Sequence, residues 1–429
     1  MIFEKIFNII NLKYFVFFIP LALLSGPFLP DLLVTISSLI LIVYSIYQKK
    51  FIEIFFNKKI KVLYLFYFFL IISSFLSDHI LFSLSSSIPL VRFIFFLFLV
   101  IFIYEQDDKL FSNFLPYVII PVLIAIFSGY FQVISTTYWH EYMQITGIFR
   151  DEKILGSYLS RIAPIIFSLF LINREFFNNI KYKIFLMIFV FLLFILVVIS
   201  GERTATVNLI TISLLIAVFN LGYLRKFIIF SIALIVILIS LLYSTNSYKF
   251  RIINKTIEYS GLSQSQLLFF SDHHHLHMLS AVAIFKDNIL FGSGPKTFRL
   301  KCSEPKYYRD KDNIYNEISI NKLDRDNKIR INSLNGCSTH PHHIYLQLLS
   351  ETGISGLVIF LFFIAYLIKK IFSIKENDDL NFFKLSLVFL ILTNFSPFTP
   401  SGNLFNNYFL ILLIIPIALF LASESKLKL

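Results

Sequence analysis

Long apolar runs recur along nearly the whole chain, and no other feature limits its fold so strongly. The stretches 184–199, 227–243 and 357–368 are examples. Most such runs approach the roughly 20 apolar residues that cross a hydrocarbon core, and together they are too many to be buried helices of one globule. Only 15% of the residues are charged, whereas a soluble domain usually carries about 25%. The sequence therefore predicts an all-α polytopic membrane protein of about 12 transmembrane helices. The expected spans are 14–30, 32–47, 60–76, 88–104, 112–134, 154–173, 182–200, 203–220, 225–243, 342–367, 382–397 and 404–421. Lys5 and Lys13 ahead of an apolar stretch resemble the start of a signal peptide, but the many spans that follow make it an uncleaved first helix.

The formal net charge of +12 is a topology signal and not a nucleic-acid signature, because of where the cations lie. Alternate connections carry Lys49, Lys50, Lys58, Lys59 and Lys61; Lys109; Arg174, Lys181 and Lys183; Arg225 and Lys226; Lys369, Lys370 and Lys375. With Lys5, Lys13, Lys426 and Lys428 of the tails, these positions hold 18 of the 38 Lys and Arg residues. The opposite short connections hold only Arg150, Lys153 and Arg203. Short basic loops stay cytoplasmic, so both termini are expected inside and 244–341 outside, the latter long enough to escape the charge rule. The plan is then helices one to nine over 1–243, a large outer loop over 244–341, and helices ten to twelve with a cytoplasmic tail over 342–429. Within the loop, the Asn- and Lys-rich stretch 306–332 lacks apolar periodicity and is expected to be a solvated excursion.

All nine histidines fall on the outer side or at its boundary: His79, His140, His273, His274, His275, His277, His340, His342 and His343. So do the only two cysteines, Cys302 and Cys337, in a compartment where a disulfide persists. Each adjoins a candidate motif, so a Cys302–Cys337 disulfide is expected to tie those motifs together. Chemistry needs titratable groups, and the inner face has almost none.

The first candidate is Ser338-Thr339-His340-Pro341-His342-His343, followed by Gln347 and Glu351-Thr352-Gly353. Proline favours the first helical position, so a helix is expected to start at Pro341, with His340 near its cap and His342 and His343 in its first turn. There the positive end of the helix dipole favours neutral imidazole, which can accept a proton. His343, Gln347 and Glu351 then share one face. A carboxylate at that depth in a span faces a partner or a wet cavity. An interfacial cap with a polar packing stripe explains the same residues equally well.

Other segments carry further candidates. Ser200-Gly201-Glu202-Arg203-Thr204 is a tight outer connection; Arg203 alone would be a snorkelling side chain, but Thr204, Thr206, Asn208 and Thr211 point this end toward protein or water. The segment 147–161 carries Arg161 about two turns into span six. An intramembrane arginine is a functional candidate, and an ion pair with Glu351 accounts for it equally well. Gly292-Ser293-Gly294-Pro295-Lys296 precedes Arg299, and its glycines suit a tight turn or an anion-cradling backbone, a weak pattern alone. Asp272-His273-His274-His275-Leu276-His277 looks metal-like, yet adjacent histidines without a cysteine or spaced carboxylate match a catalytic metal site poorly. A solvated or substrate-facing run without a metal is expected there.

Taken in order, these segments resemble the O-antigen ligase and polymerase (Wzy-C) superfamily of membrane glycosyltransferases, from about residue 130 onward. The resemblance rests on 147–161, on Glu202-Arg203-Thr204-Ala205, and on Gly292 to Arg299 with Cys302 beyond. It also rests on the stretch from Cys337 through His340-Pro341-His342 to Gln347 with Glu351-Thr352-Gly353, and on Pro400-Ser401-Gly402-Asn403 running to Asn407. The family usually has Asn where this chain has His343, which makes His342 the better match to its essential histidine.

The resemblance implies a twelve-span, metal-independent enzyme of the GT-C type, without a cofactor, in the bacterial inner membrane, with 244–341 as a periplasmic loop and the active site on the periplasmic face. Such enzymes move a glycan from undecaprenyl diphosphate to an acceptor sugar: lipid A-core in a ligase, a second lipid-linked repeat unit in a polymerase. On this chain it implies that His342 is the general base and that Arg203 and Arg299 hold the diphosphate, with Arg161 a weaker third. Lys296, His340, His343 and Glu351 complete the expected glycan or diphosphate contacts. The expected partners are the lipid-linked glycan, the acceptor and membrane lipids, not nucleic acid, and the ligase reading is slightly preferred. A lipid-linked-glycan flippase is the rival from another class; it would gather polar residues near the midplane at interrupted helices, whereas these gather at one face.

Overall fold

The computed structural model describes residues 9–55, 61–107, 109–135, 144–172, 179–219, 229, 270, 272–309, 335–373 and 379–425. Helices dominate them, and no β-strand occurs among the described residues. The first half holds α1 (Ile9–Phe17), α2 (Ile19–Ala22), α3 (Phe28–Tyr47), α4 (Phe51–Phe55), α5 (Lys61–Phe75), α6 (Ile80–Ser87), α7 (Val91–Gln106) and α8 (Leu110–Ser135). Next come α9 (Leu155–Ile172), α10 (Ile180–Ile199) and α11 (Arg203–Phe219). Within the expected loop lie α12 (Asp272–Asp287) and α13 (Phe298–Lys301), and the chain continues with α14 (Ile344–Ser373), α15 (Asp379–Asn394) and α16 (Asn407–Ser425).

Six helical stretches are long and apolar enough to cross a membrane: Phe28–Tyr47, Ile80–Gln106, Leu110–Ser135, Ile180–Ile199, Ile344–Ser373 and Asn407–Ser425. Leu12–Ser25, Val62–Phe75, Leu155–Phe170 and Arg203–Val218 are apolar but shorter. The expected span 225–243 lies, but for one residue, outside the described residues, as do His140 and most of 306–332. The protein is a polytopic helical membrane protein; the count of twelve spans rests on the sequence.

Two kinds of apolar surface separate the inner helices from the outer ones. Almost every side chain of α16 is buried, including Pro416 and Glu424, because α7 and α15 pack against it. The helix α9 is likewise enclosed by α8, α11 and α15. By contrast Leu81, Phe127, Ile134 and Phe372 are largely exposed. In water, apolar surface of that extent would be an aggregation liability; in lipid it is the matching face.

Polar ties fix the two ends of the bundle differently. At one end Arg92 at the start of α7 pairs with Asp31 at the start of α3 at 2.7 Å, and Asn407 at the start of α16 donates to the same carboxylate at 3.2 Å. At the other, Lys13 pairs with Asp107 at 2.9 Å, while Lys370 of α14 and Lys384 of α15 both approach Glu424 of α16. The helices α7 and α16 run from one set to the other, and the turns near residues 26, 202, 341 and 402 share the end that holds Asp31.

That end carries the described part of the expected loop, 272–309 and 335–341. Packing of α12 on α14 seats it, and Ala281, Ile284, Phe298, Cys302 and Tyr307 form a small core of their own. Cys302 and Cys337 are disulfide-bonded, with Cα atoms 5.1 Å apart. The helix α14 is interrupted at Gly353, whose φ of 68° is left-handed. There the loop of Gly292 inserts: Ser293 N donates to Ser350 O and Gly294 N to Glu351 O, both at 2.9 Å. A Cβ on Gly292 would collide with the backbone at Glu351 and Thr352, and one on Gly353 with Leu290. The glycines permit close backbone approach. The N–H groups of Ser293 and Gly294 are spent on the broken helix and that of Gly292 on Asn288 O, which corrects the anion-cradle alternative for this turn.

Candidate active site

A cavity of about 1400 Å³ opens at this end of the bundle. Its wall draws on segments far apart in sequence: Ser25, Gly26 and Pro27 after α2; Arg150, Glu152, Lys153, Ser157 and Arg161 around the start of α9; Gly201 to Thr204 between α10 and α11; His274 of α12; Arg299 of α13; Thr339, His340 and His342; and Ser401, Asn403, Tyr408 and Phe409. Five of these residues are Lys or Arg and two, Glu152 and Glu202, are acidic, so the wall is cationic. Field lines are focused by a low-dielectric surround, which makes the cavity suited to an anion.

The arginines are held in different ways. Arg161 is buried in α9, with Nη1 donating to Ser157 O at 3.0 Å and its guanidinium 5.1 Å from the Phe409 ring centre. No ion pair with Glu351 forms, which corrects that alternative. Arg299 comes from the one-turn helix α13, whose first N–H, on Phe298, donates to Glu351 Oε1 at 2.8 Å. The Nε–H groups of Arg161 and Arg299 are both buried without an acceptor in the protein. Buried donors are nearly always paired, so these two have capacity for an anionic guest. Arg203 stands exposed at the start of α11 on the cavity wall. Beside it, Glu202 accepts from Gly156 N at 2.5 Å and Ser157 N at 2.9 Å. This carboxylate caps α9 at its dipole-positive end and so fixes the wall that bears Arg161.

The histidines cluster against the opposite side. The helix begins at Ile344, so Pro341, His342 and His343 precede it instead of forming its first turn. The cause is local: His342 adopts φ 55°, outside the helical region, and Ser401 N donates to its carbonyl at 2.9 Å. A strained, left-handed non-glycine residue persists only where its surroundings over-determine it. The His342 ring lies 4.0 Å from that of His340, 4.9 Å from His274 and 5.4 Å from His277, centre to centre. Its Nε2 is 3.3 Å from Ser338 Oγ.

Burial, then the neighbouring rings of His340, His274 and His277, push the His342 imidazole far below its ordinary range. Its neutrality thus comes from burial and crowding, not from the first-turn dipole position expected. His340 is lowered to about 4, again mainly by burial, with an opposing hydrogen bond to Ser401 O at 3.1 Å.

Three expected contacts stand away from the cavity. Glu351 is fully buried and does not line it; it holds α13 and accepts from Gln347 Nε2 at 3.0 Å. Gln347 in turn binds Asn403 Oδ1 at 2.7 Å and Leu404 N at 3.0 Å. The polar stripe of α14 therefore locks the 400–407 segment to the Arg299 helix. His343 also lies off the wall, its ring against Tyr345 and Phe270. Lys296 is half-buried behind Arg299 and outside the lining; burial, and then the adjacent guanidinium, hold its amine below the usual lysine range.

Sequence reasoning places His274 in a solvated or substrate-facing run; it faces the cavity, while His277, one turn on, is buried. A spacing of three residues on a helix was the available signal. Phe409, Tyr408 and the 25–27 turn carried no signal at all. Among the described residues no three His, Cys, Asp or Glu side chains are arranged to share one metal ion.

A polytopic helical membrane protein whose turns converge on a cationic, histidine-walled cavity at one end of the bundle defines the class. Residues 188–361 match the family model described as O-antigen ligase, Wzy_C. The match covers Arg203, His274, Arg299, His340, His342 and the Gly353 break. No curated protein matches the chain.

Proposed function

We propose that this protein is a membrane glycosyltransferase that moves a glycan from undecaprenyl diphosphate to an acceptor hydroxyl, with lipid A-core as the acceptor. The observation that carries the reading is the convergence, on one cavity within and beside the family-matching stretch, of Arg161, Arg203 and Arg299 with His342. The glycosyl carbon breaks its bond to the diphosphate oxygen and forms one to the acceptor oxygen. His342, neutral at ordinary pH, takes the acceptor proton. The diphosphate keeps the bonding electron pair, and the three guanidinium groups stabilise the charge that develops on it. Arginine suits that work because its planar fork binds phosphate oxygens bidentately. In this scheme Glu351, Gln347 and Glu202 act as supports, and neither metal nor nucleotide is called on.

The cavity sits at one end of the bundle and not at mid-helix, which favours an enzyme over a flippase. Orientation follows the Lys and Arg asymmetry: the cavity end is periplasmic and both termini are cytoplasmic, in the inner membrane. A chromosomal deletion tests the acceptor. Accumulated lipid-linked polymer with bare lipid A-core is the expected result; lipid A capped with a single repeat would instead mark a polymerase.

A further inference from the structure

His274 is not among the residues that the proposed chemistry uses, yet it has the geometry to take part. It stands on the cavity wall, and its ring centre is 4.9 Å from that of His342 and 6.3 Å from that of His277. A base that has taken a proton must lose it before the next cycle. Around His342 an imidazolium is costly: the residue is partly buried, and three other imidazoles crowd it. His340 is a poor recipient, since it is buried too and its Nε2 is already engaged by Ser401 O. His277 is buried beneath His342. His274 alone of the three neighbours is part-exposed and opens onto the cavity.

We infer that His274 receives the acceptor's proton from His342, restoring the neutral base, and releases it into the water of the cavity. The step is a proton transfer between two imidazole nitrogens, with no change elsewhere. The charged and titratable groups around His274 are His277 on its own helix, His340 and His342 on the facing segment, Arg299 of α13, and Arg150, Lys153, Arg161, Arg203, Glu152, Glu202 and Tyr408 elsewhere on the cavity wall. The surrounding cations favour prompt release of the proton from His274. This inference rests on the proposed transfer reaction and gives a role to one residue of the run expected to be solvated or substrate-facing.

The test uses the purified full chain in lipid, with an undecaprenyl diphosphate-linked glycan and lipid A-core. His274→Ala should lower kcat by about 100-fold, the low end for side-chain proton transfer, while KM for the donor stays within about twofold. Loss of a ring that repels a proton on His342 should move the acid limb of the kcat profile to higher pH. Free imidazole should restore part of kcat in His274→Ala, where space is left for it, and not in His274→Gln. His275→Ala, on the same helix and off the cavity wall, should match the unaltered chain and report any loss of folding. Wild-type kcat in His274→Ala, or a loss that imidazole does not relieve with an unshifted pH profile, would overturn the inference. Absence of transfer by the unaltered chain overturns the proposed function and this inference with it.

Discussion

His342 and its neighbour His343 carry the same side chain one position apart, and the fold separates their fates. One is pinned by Ser401 at φ 55° among three other imidazoles on the cavity wall; the other turns toward Tyr345 and Phe270. His342→Ala should therefore lower transfer by about 10²–10⁴-fold, the cost of a lost general base, whereas His343→Asn should retain near wild-type rates in the same assay. Because burial and the adjacent rings lower the His342 pKa, the base stays unprotonated below the usual histidine range. Activity should then persist as pH falls through about 6.5, the ordinary imidazole value, and a kcat profile with its acid limb at that value would count against the assignment. Arg203→Lys keeps the charge but loses the fork, so most activity should disappear while the protein still folds. Residue types and spacing brought Arg161, Arg203, Arg299, His340 and His342 to attention. They could not rank Lys296 and Glu351 as off the wall, because that depends on which way a loop turns after its second glycine.

Among the elements, α14 was the most legible and also the most misjudged. Its apolar length and the histidines ahead of it were plain, but the sequence placed its start at Pro341 and ran it unbroken. The structure starts it at Ile344 and breaks it at Gly353. The break exists because another backbone, at Ser293 and Gly294, donates to the carbonyls of Ser350 and Glu351; no local preference encodes a partner 57 residues upstream. Gly353→Ala should destabilise by about 1–3 kcal/mol or more from the left-handed φ alone, with the collision against Leu290 added. Thermal unfolding in detergent would check it, and an unchanged midpoint would refute the docking account. The disulfide belongs to the same device. Closing a loop with a sequence separation of 35 contributes about 3–4 kcal/mol in the chain-entropy model. Cys302→Ser should thus loosen the α12–α13 unit, seen as faster proteolysis within 272–309.

For the whole molecule, the apolar runs disclosed a membrane-embedded helical bundle, while charge asymmetry predicts which connections share a side. The convergence of the 25–27, 201–204, 339–342 and 400–409 segments on one cavity agrees with that alternation, although the N-terminal turn gave no hint that it would line the site. Alkaline phosphatase fused at residue 310 should be active and at residue 425 inactive; activity at 425 would reverse the orientation. The central claim is group transfer from a lipid diphosphate. Purified protein in proteoliposomes, given undecaprenyl diphosphate-linked glycan and lipid A-core without any nucleotide sugar, tests it most directly by the appearance of glycan-capped lipid A-core. The account predicts that product with the unaltered chain and its loss in His342→Ala; movement of the donor across the bilayer with no covalent product would contradict it.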